Sequence, residues 1–327
     1  MRRAALIALL LTPVLALLVA YLVPSDWLGP PALGQPPPRV FLHRAGAALW
    51  PQNSLTAVRG AIAHRDAAGR PVQGIEVDIA LTRDGVPVLS HDPWIHETLC
   101  RRADGRRIEQ RILIRDLSWS ELRLGYICGG EPDPDFPAAR PVPEPIARLD
   151  DVIAALAAAP EIALYLDVKV DPPLTAPAED FAAAIFTRWR EAGVDNPLYV
   201  EGPEPAAVAA WRAAAGDLPA TFVLSYPAFT AQNNWLLTAL THRARVRLAP
   251  EDAARTDADG LVSLPEVLSW QAARHAREAG KEVVLFFREP DVDLDRYCAW
   301  PASVLIVDAP DAGRCPDAAA RLARGGR

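Results

Sequence analysis

A TIM (β/α)8 barrel preceded by a transmembrane helix is the fold class that this 327-residue sequence predicts, and three observations carry the prediction. Short apolar, β-branched or aromatic runs recur along the chain, and Ala-rich segments with helical spacing lie between most of them. Strands that alternate with helices pair in parallel through right-handed crossovers, and eight such units close a barrel whose chemistry sits at the C-terminal strand ends. Residues 4–23 read AALIALLLTPVLALLVAYLV without a charge. About 20 helical residues match the ~30 Å hydrocarbon thickness of a bilayer.

In chain order, residues 1–3 form a short cytoplasmic N-terminus and residues 4–23 the transmembrane or signal-anchor helix. Arg2 and Arg3 precede the apolar run and stay on the cytoplasmic side, so the rest of the chain is expected outside it, in a bacterium on the periplasmic face. Secretion after signal cleavage is the alternative, because a signal peptide shares the basic start and apolar middle. Val19-Ala20-Tyr21 and Val23-Pro24-Ser25 are poor cleavage sites, which favours the anchor. Residues 24–38 hold Pro30, Pro31, Pro36, Pro37 and Pro38 and read as a stiff linker.

The barrel is expected over residues 39–327. Its strands are read at Val40–Leu42, Gly74–Ile79, Val86–Leu89, Ile162–Val170, Leu198–Val200, Thr221–Leu224, Val283–Phe287 and Ser303–Val307, with Arg247–Ala249 as a further candidate. Helices are read at Ser54–His64, Asp150–Ala159, Asp180–Ala192, Pro205–Ala215 and Leu264–Ala279. Residues 93–145 break the rhythm and read as an excursion over the barrel mouth. Four cysteines, Cys100, Cys128, Cys298 and Cys315, follow the apolar run, and an exported domain permits disulfides. The local pairings Cys100–Cys128 and Cys298–Cys315 are the expected ones among three connectivities.

Half of the residues are apolar and 23% are charged, the profile of a globular chain with a sizeable core. A net charge of −7 argues against a nucleic-acid partner, since that affinity comes from clustered Lys and Arg. The same acidity suits a cation site. In Gly74-Ile75-Glu76-Val77-Asp78-Ile79 the two acids share one face of a strand and the aliphatic residues take the other. Two inward carboxylates repel unless a cation or proton compensates them. Leu164–Val170 repeats the pattern with Tyr165, Asp167 and Lys169 on one face, making Asp167 a candidate third ligand. Oxygen donors suit magnesium or calcium better than zinc. A structural ion pair, Asp167 with Lys169, is the competing reading.

His43 and His91 each follow an apolar strand run, where a barrel places acid–base groups. His64, His96, His242 and His275 fall on helices or loops and read as structural. Ser90-His91-Asp92 is not read as a serine-hydrolase triad, because triads assemble in space and no Gly-x-Ser-x-Gly elbow is present.

His43-Arg44, Pro51-Gln52-Asn53-Ser54, Glu76-Val77-Asp78, Thr82-Arg83-Asp84-Gly85, His91-Asp92 and Leu166-Asp167-Val168-Lys169 resemble, in order and spacing, the motifs of glycerophosphodiester phosphodiesterases. The resemblance spans most of the folded chain and is sharpest from Phe41 to Pro93. It implies a TIM barrel, one divalent cation at Glu76, Asp78 and Asp167, an acid–base pair at His43 and His91, and phosphate or metal contacts from Arg44, Asn53 and Lys169. It also implies hydrolysis of a small-molecule or lipid-derived phosphodiester, with a neighbouring glycerol hydroxyl as nucleophile and a cyclic phosphate between steps. Which histidine is the base stays open.

Four departures accompany the resemblance. Ala45 stands where the family usually has Gly, Gln52 where Glu is usual, and Asp167 where a Glu reaches one methylene further. Leu285-Phe286-Phe287-Arg288 replaces a Trp-Thr-Val-Asn pattern. A phospholipase D-like lipid phosphodiesterase and a non-catalytic envelope binding barrel are the alternative readings.

Overall fold

The structure, a computed structural model, describes residues 36–225 and 257–309, apart from 266, 267, 269, 288–291 and 293, together with 314–316. The apolar run at 4–23, most of the linker and the candidate strand Arg247–Ala249 lie outside the described residues. Among the described residues no helix is long and apolar enough to cross a membrane.

Eight parallel strands form a closed barrel: β1 (Arg39–Leu42), β2 (Gly74–Leu81), β6 (Ala163–Val168), β7 (Leu198–Gly202), β8 (Ala220–Ser225), β9 (Gly260–Ser263), β10 (Glu282–Phe286) and β11 (Val304–Val307). Pairing of β1 with both β11 and β2 closes the ring. Ile75, Val77, Ile79, Leu164, Leu166 and Val168 face outward into the core shared with the helices. Phe41, Tyr165, Tyr199, Val223, Val262, Val284, Val304 and Ile306 fill the interior. The phenol rings of Tyr165 and Tyr199 stack at 5.8 Å, and Phe41 meets Tyr199 edge-on at 5.6 Å.

Among the described helices, α1 (Leu55–Ala63) begins at Ser54, whose hydroxyl accepts from the Ala57 N–H at 2.9 Å. α3 (Leu149–Leu156), α4 (Ala178–Ala192), α5 (Pro205–Ala215) and α6 (Trp270–Glu278) cover the outer face, with Gly193 at φ 60° ending α4. Within the expected helix Leu264–Ala279, the described helical residues are Trp270–Glu278, and residues 266, 267 and 269 lie outside the described ones.

One expected barrel strand is corrected. Residues 87–89 form β3 (Pro87–Leu89), which pairs antiparallel with the end of β2 and lies outside the ring. Only residues 82–86 separate the two strands, too few for the crossover that parallel pairing requires. Gly85, at φ 72°, makes the tight return. The eighth barrel strand is β9, whose Gly260 and Ser263 leave an apolar core of two residues and a weak sequence signal.

The excursion is ordered. It contains β4 (Cys100–Arg102), α2 (Trp119–Gly125) and β5 (Tyr126–Cys128), with a satellite core of Ile95, Ile108, Ile114, Leu122 and Tyr126 beneath it. A disulfide joins Cys100 to Cys128 across β4 and β5, and a second joins Cys298 to Cys315. The chain returns beside β3, where the Leu89 N–H donates to the Ala147 carbonyl at 2.9 Å.

Gly74 shares the inward face with Glu76 and Asp78, and a methyl group there would lie 2.4 Å from the Phe41 ring. Gly74→Ala is therefore expected to destabilise the domain by about 1–3 kcal/mol through overpacking of the barrel floor. Chemical denaturation would measure it, and an unchanged midpoint would contradict this account of the floor.

Candidate active site

β1 stops at Leu42, and His43–Ala45 make a single 3-10 turn at the barrel mouth. Arg44 and Ala45 adopt φ 46° and 64°, left-handed values that cost a side-chain-bearing residue roughly 1–2 kcal/mol. Ala45, buried against the core, thus takes a backbone geometry ordinarily left to glycine. The turn turns the Arg44 N–H toward Glu76 Oε2, 2.6 Å away. Asn53, also left-handed at φ 53°, returns to the same place: its amide donates to Asp78 Oδ2 at 2.7 Å and accepts from the Asp78 N–H at 3.0 Å.

The inward acids meet as the strand periodicity requires. Glu76, Asp78 and Asp167 each offer an oxygen within 4.8 Å of the others. Burial and the carboxylates of Asp78 and Asp167 push Glu76 well above the ordinary carboxylate range. Burial would raise Asp78 too, but Lys169 and Arg44 overcome it and hold that carboxyl far below its usual value. Lys169 Nζ lies 3.1 Å from Asp78 Oδ1 and touches Asp167; Arg44 Nε lies 3.2 Å from Asp78 Oδ2. The Asp167–Lys169 ion pair expected as the structural alternative is therefore present, and it coexists with the acid cluster. The donor set fits a hard divalent cation: three carboxylate oxygens within reach of one another, two of them on buried acids.

The histidines differ sharply. His43 Nδ1 pairs with Asp308 Oδ1 at 2.6 Å, and the ring is flanked by Phe286 at 4.7 Å and Phe136 at 6.4 Å. Burial lowers its pKa against the pull of Asp308. His91 is exposed, follows the hairpin strand β3 rather than a barrel strand, and sits 3.1 Å from Asp92 Oδ1. A 3.1 Å hydrogen bond from the Ser90 N–H to the Asp78 carbonyl ties its segment to β2. Both imidazoles act electrostatically on Asp78.

Three residues at the mouth were not singled out in the sequence. Asp308 follows β11 just as His43 follows β1, so the same strand-end rule would have found it. Glu201 lies two residues beyond the inward Tyr199, past the point where the apolar run stops. Its carboxylate accepts from the hydroxyls of Tyr165, at 2.8 Å, and Ser225. Burial and Asp167 push it up to about 8. Asp133, from the excursion, accepts from the Gln52 amide, whose oxygen accepts from Arg44. A glutamate at position 52 could not make that donation, so the amide is what joins the excursion to Arg44. Arg288 lies outside the described residues. An open cleft runs beside His91 and Asn53, walled by Leu89, Leu99, Ile146 and the Cys100–Cys128 bridge.

Comparison with known proteins gives one family. Residues 43–312 match the model of the Glycerophosphoryl diester phosphodiesterase family. A Mycobacterium tuberculosis protein, Rv2277c, is 31% identical over 159 residues, covering 48% of this chain and 46% of that protein. The chain thus matches less than half the length of that relative. In fold it resembles a glycerophosphoryl diester phosphodiesterase structure from Silicibacter pomeroyi, with TM-score 0.68, 20% identity, and 90% and 96% of the two chains covered. It also resembles an Oleispira antarctica phosphodiesterase solved with its product sn-glycerol-3-phosphate, with TM-score 0.61, 19% identity, and 84% and 95% covered.

Because Glu76 has a folded pKa above its unfolded one, its ionisation removes stability as pH rises from the ordinary carboxylate value. Glu76→Gln should therefore raise the melting temperature of the chelated protein at pH 7 by about 2–4 °C or more, the shift that goes with ~1 kcal/mol in a domain of this size. The same change should abolish the stabilisation that added magnesium or manganese gives the wild type. Thermal melts with chelator and with metal test both, and a variant less stable than wild type under chelation would contradict the charge argument.

Proposed function

Since the chain belongs to the glycerophosphoryl diester phosphodiesterase family, we propose that it hydrolyses glycerophosphodiesters to glycerol phosphate and an alcohol at the barrel mouth. The observation that supports this most directly is a convergence: three carboxylates, the cations Arg44 and Lys169, and two differently held histidines meet at the C-terminal ends of β1, β2 and β6. A divalent cation, magnesium or calcium, held by Glu76, Asp78 and Asp167 would supply Lewis-acid stabilisation of the charge that grows on the phosphate. Arg44 and Lys169 contact the non-bridging oxygens, and Asn53 fixes the Asp78 carboxylate that aligns them.

His43 is the base in the first step. Its Nδ1–H is donated to Asp308, which leaves the Nε2 lone pair free, and burial keeps the ring neutral near pH 7. It takes the proton of the neighbouring glycerol hydroxyl as that oxygen attacks phosphorus. His91, exposed beside the cleft and paired with Asp92, donates a proton to the departing alkoxide as its bond to phosphorus breaks. Water then opens the cyclic phosphate with the two roles exchanged. The cleft takes the alcohol portion.

Either His→Ala change should lower turnover about 10²–10⁴-fold while leaving metal binding largely intact. The acidic limb of the wild-type pH profile should fall below about pH 6.5, the ordinary histidine value, since His43 is depressed. Phosphorus NMR in oxygen-18 water should reveal an early cyclic phosphate, with matched diesters lacking the neighbouring hydroxyl turning over poorly. Full activity after metal stripping would remove the cation from the account. Soluble glycerophosphodiesters compared with intact phospholipids separate this reading from a lipid phosphodiesterase, and no turnover of either would favour a binding barrel.

We further propose that residues 4–23 anchor the chain in a membrane with the barrel on its extracytoplasmic side, a reading supported by the two disulfides and by Arg2 and Arg3. Deleting residues 1–38 should release a soluble, active domain. Recovery of the native protein in the soluble fraction, shortened by a signal-length segment, would replace the anchor with secretion.

A further inference from the structure

Glu201 takes no part in the reaction above, yet it stands in the row of acids. Asp78 is in register with Asp167, and Asp167 with Glu201, on three neighbouring strands. The three are held differently. Lys169 bridges Asp78 and Asp167, whereas Glu201 is held by the hydroxyls of Tyr165 and Ser225, from the strands on either side of it.

The ammonium therefore occupies two of the three carboxylates that would receive a divalent cation. A divalent cation at those carboxylates would compete with Lys169 for their oxygens, since repulsion between cations is weakly screened where the acids are buried. Loading of the site therefore favours release of the ammonium from at least one partner. Glu201 is one strand spacing, about 4.8 Å, from Asp167 in the hydrogen-bonding direction. It already acts on the charge of Lys169.

We propose that Glu201 is a positioning residue that receives the Lys169 ammonium when a divalent cation takes Asp78 and Asp167. Lys169 then keeps a carboxyl partner and remains at the mouth, available to a phosphate oxygen. Tyr165 and Ser225 hold both Glu201 oxygens in place, so the acceptor is ready before the lysine arrives. The inference rests on the cation site of the proposed function and not on turnover.

Calorimetric titration of Mn2+ into the wild type, Glu201→Gln, Glu201→Asp, Lys169→Met and the Glu201→Gln/Lys169→Met pair tests it. Glu201→Gln should weaken Mn2+ binding about tenfold, at the low end of what supporting residues of metal sites contribute. In the Lys169→Met background the same change should have no effect, because no ammonium needs a new partner. Glu201→Asp keeps the carboxyl group and should retain most of the affinity, which separates the acceptor from packing. Equal losses in both backgrounds, no loss in either, an aspartate variant as weak as the glutamine one, or a wild type that does not bind Mn2+ would each overturn the proposal. Tight Mn2+ binding without diesterase turnover would refute the proposed reaction and leave this inference standing.

Discussion

Three carboxylates on adjacent inward strand positions cannot all be ionised in a dry interior unless positive charge sits among them. The parallel register sets that condition, since it places Asp78 beside Asp167 with Glu76 one inward position below. Around it the chain assembles Arg44, Lys169 and the amide of Asn53. The compensation is uneven: Asp78 is held ionised by both cations, while Glu76 is driven toward its neutral form. That imbalance leaves Glu76 as the carboxyl that a further cation would hold ionised.

The backbone meets the same demand. Left-handed residues at Arg44, Ala45 and Asn53 lie in the two loops that reach the acids. Such conformations persist only where their surroundings over-determine them, and they cluster at functional sites. Here the Arg44 N–H and the Asn53 side chain are bonded directly to Glu76 and Asp78, so the strain and the electrostatics are parts of one arrangement. The excursion joins it through Asp133 and Gln52, and the Cys100–Cys128 bridge braces that excursion at the cleft wall.

Much of this was legible in the sequence because period-two alternation is a local signal. Glu76 and Asp78 against Ile75, Val77 and Ile79, or Asp167 and Lys169 against Leu166 and Val168, declare their faces without tertiary information. Long apolar strands were equally clear. The rest depended on contacts distant along the chain. His91 looked like a barrel strand end, but the short link after Leu81 turns its strand antiparallel. β9 was hidden by Gly260 and Ser263. Asp308 meets His43 across 265 residues of sequence, and no local pattern links the two. Glu201 was masked by a strand that runs beyond its apolar core.

The account turns on a cation at Glu76, Asp78 and Asp167 with a phosphate reached by both histidines. A crystal of the barrel soaked with manganese and glycerol phosphate, read by anomalous scattering, tests that claim most directly. We expect a single strong peak bonded to the three carboxylates, with the phosphate between His43 Nε2 and His91. A peak elsewhere, or a phosphate bound away from both imidazoles with these acids still bridged by Lys169, would contradict it.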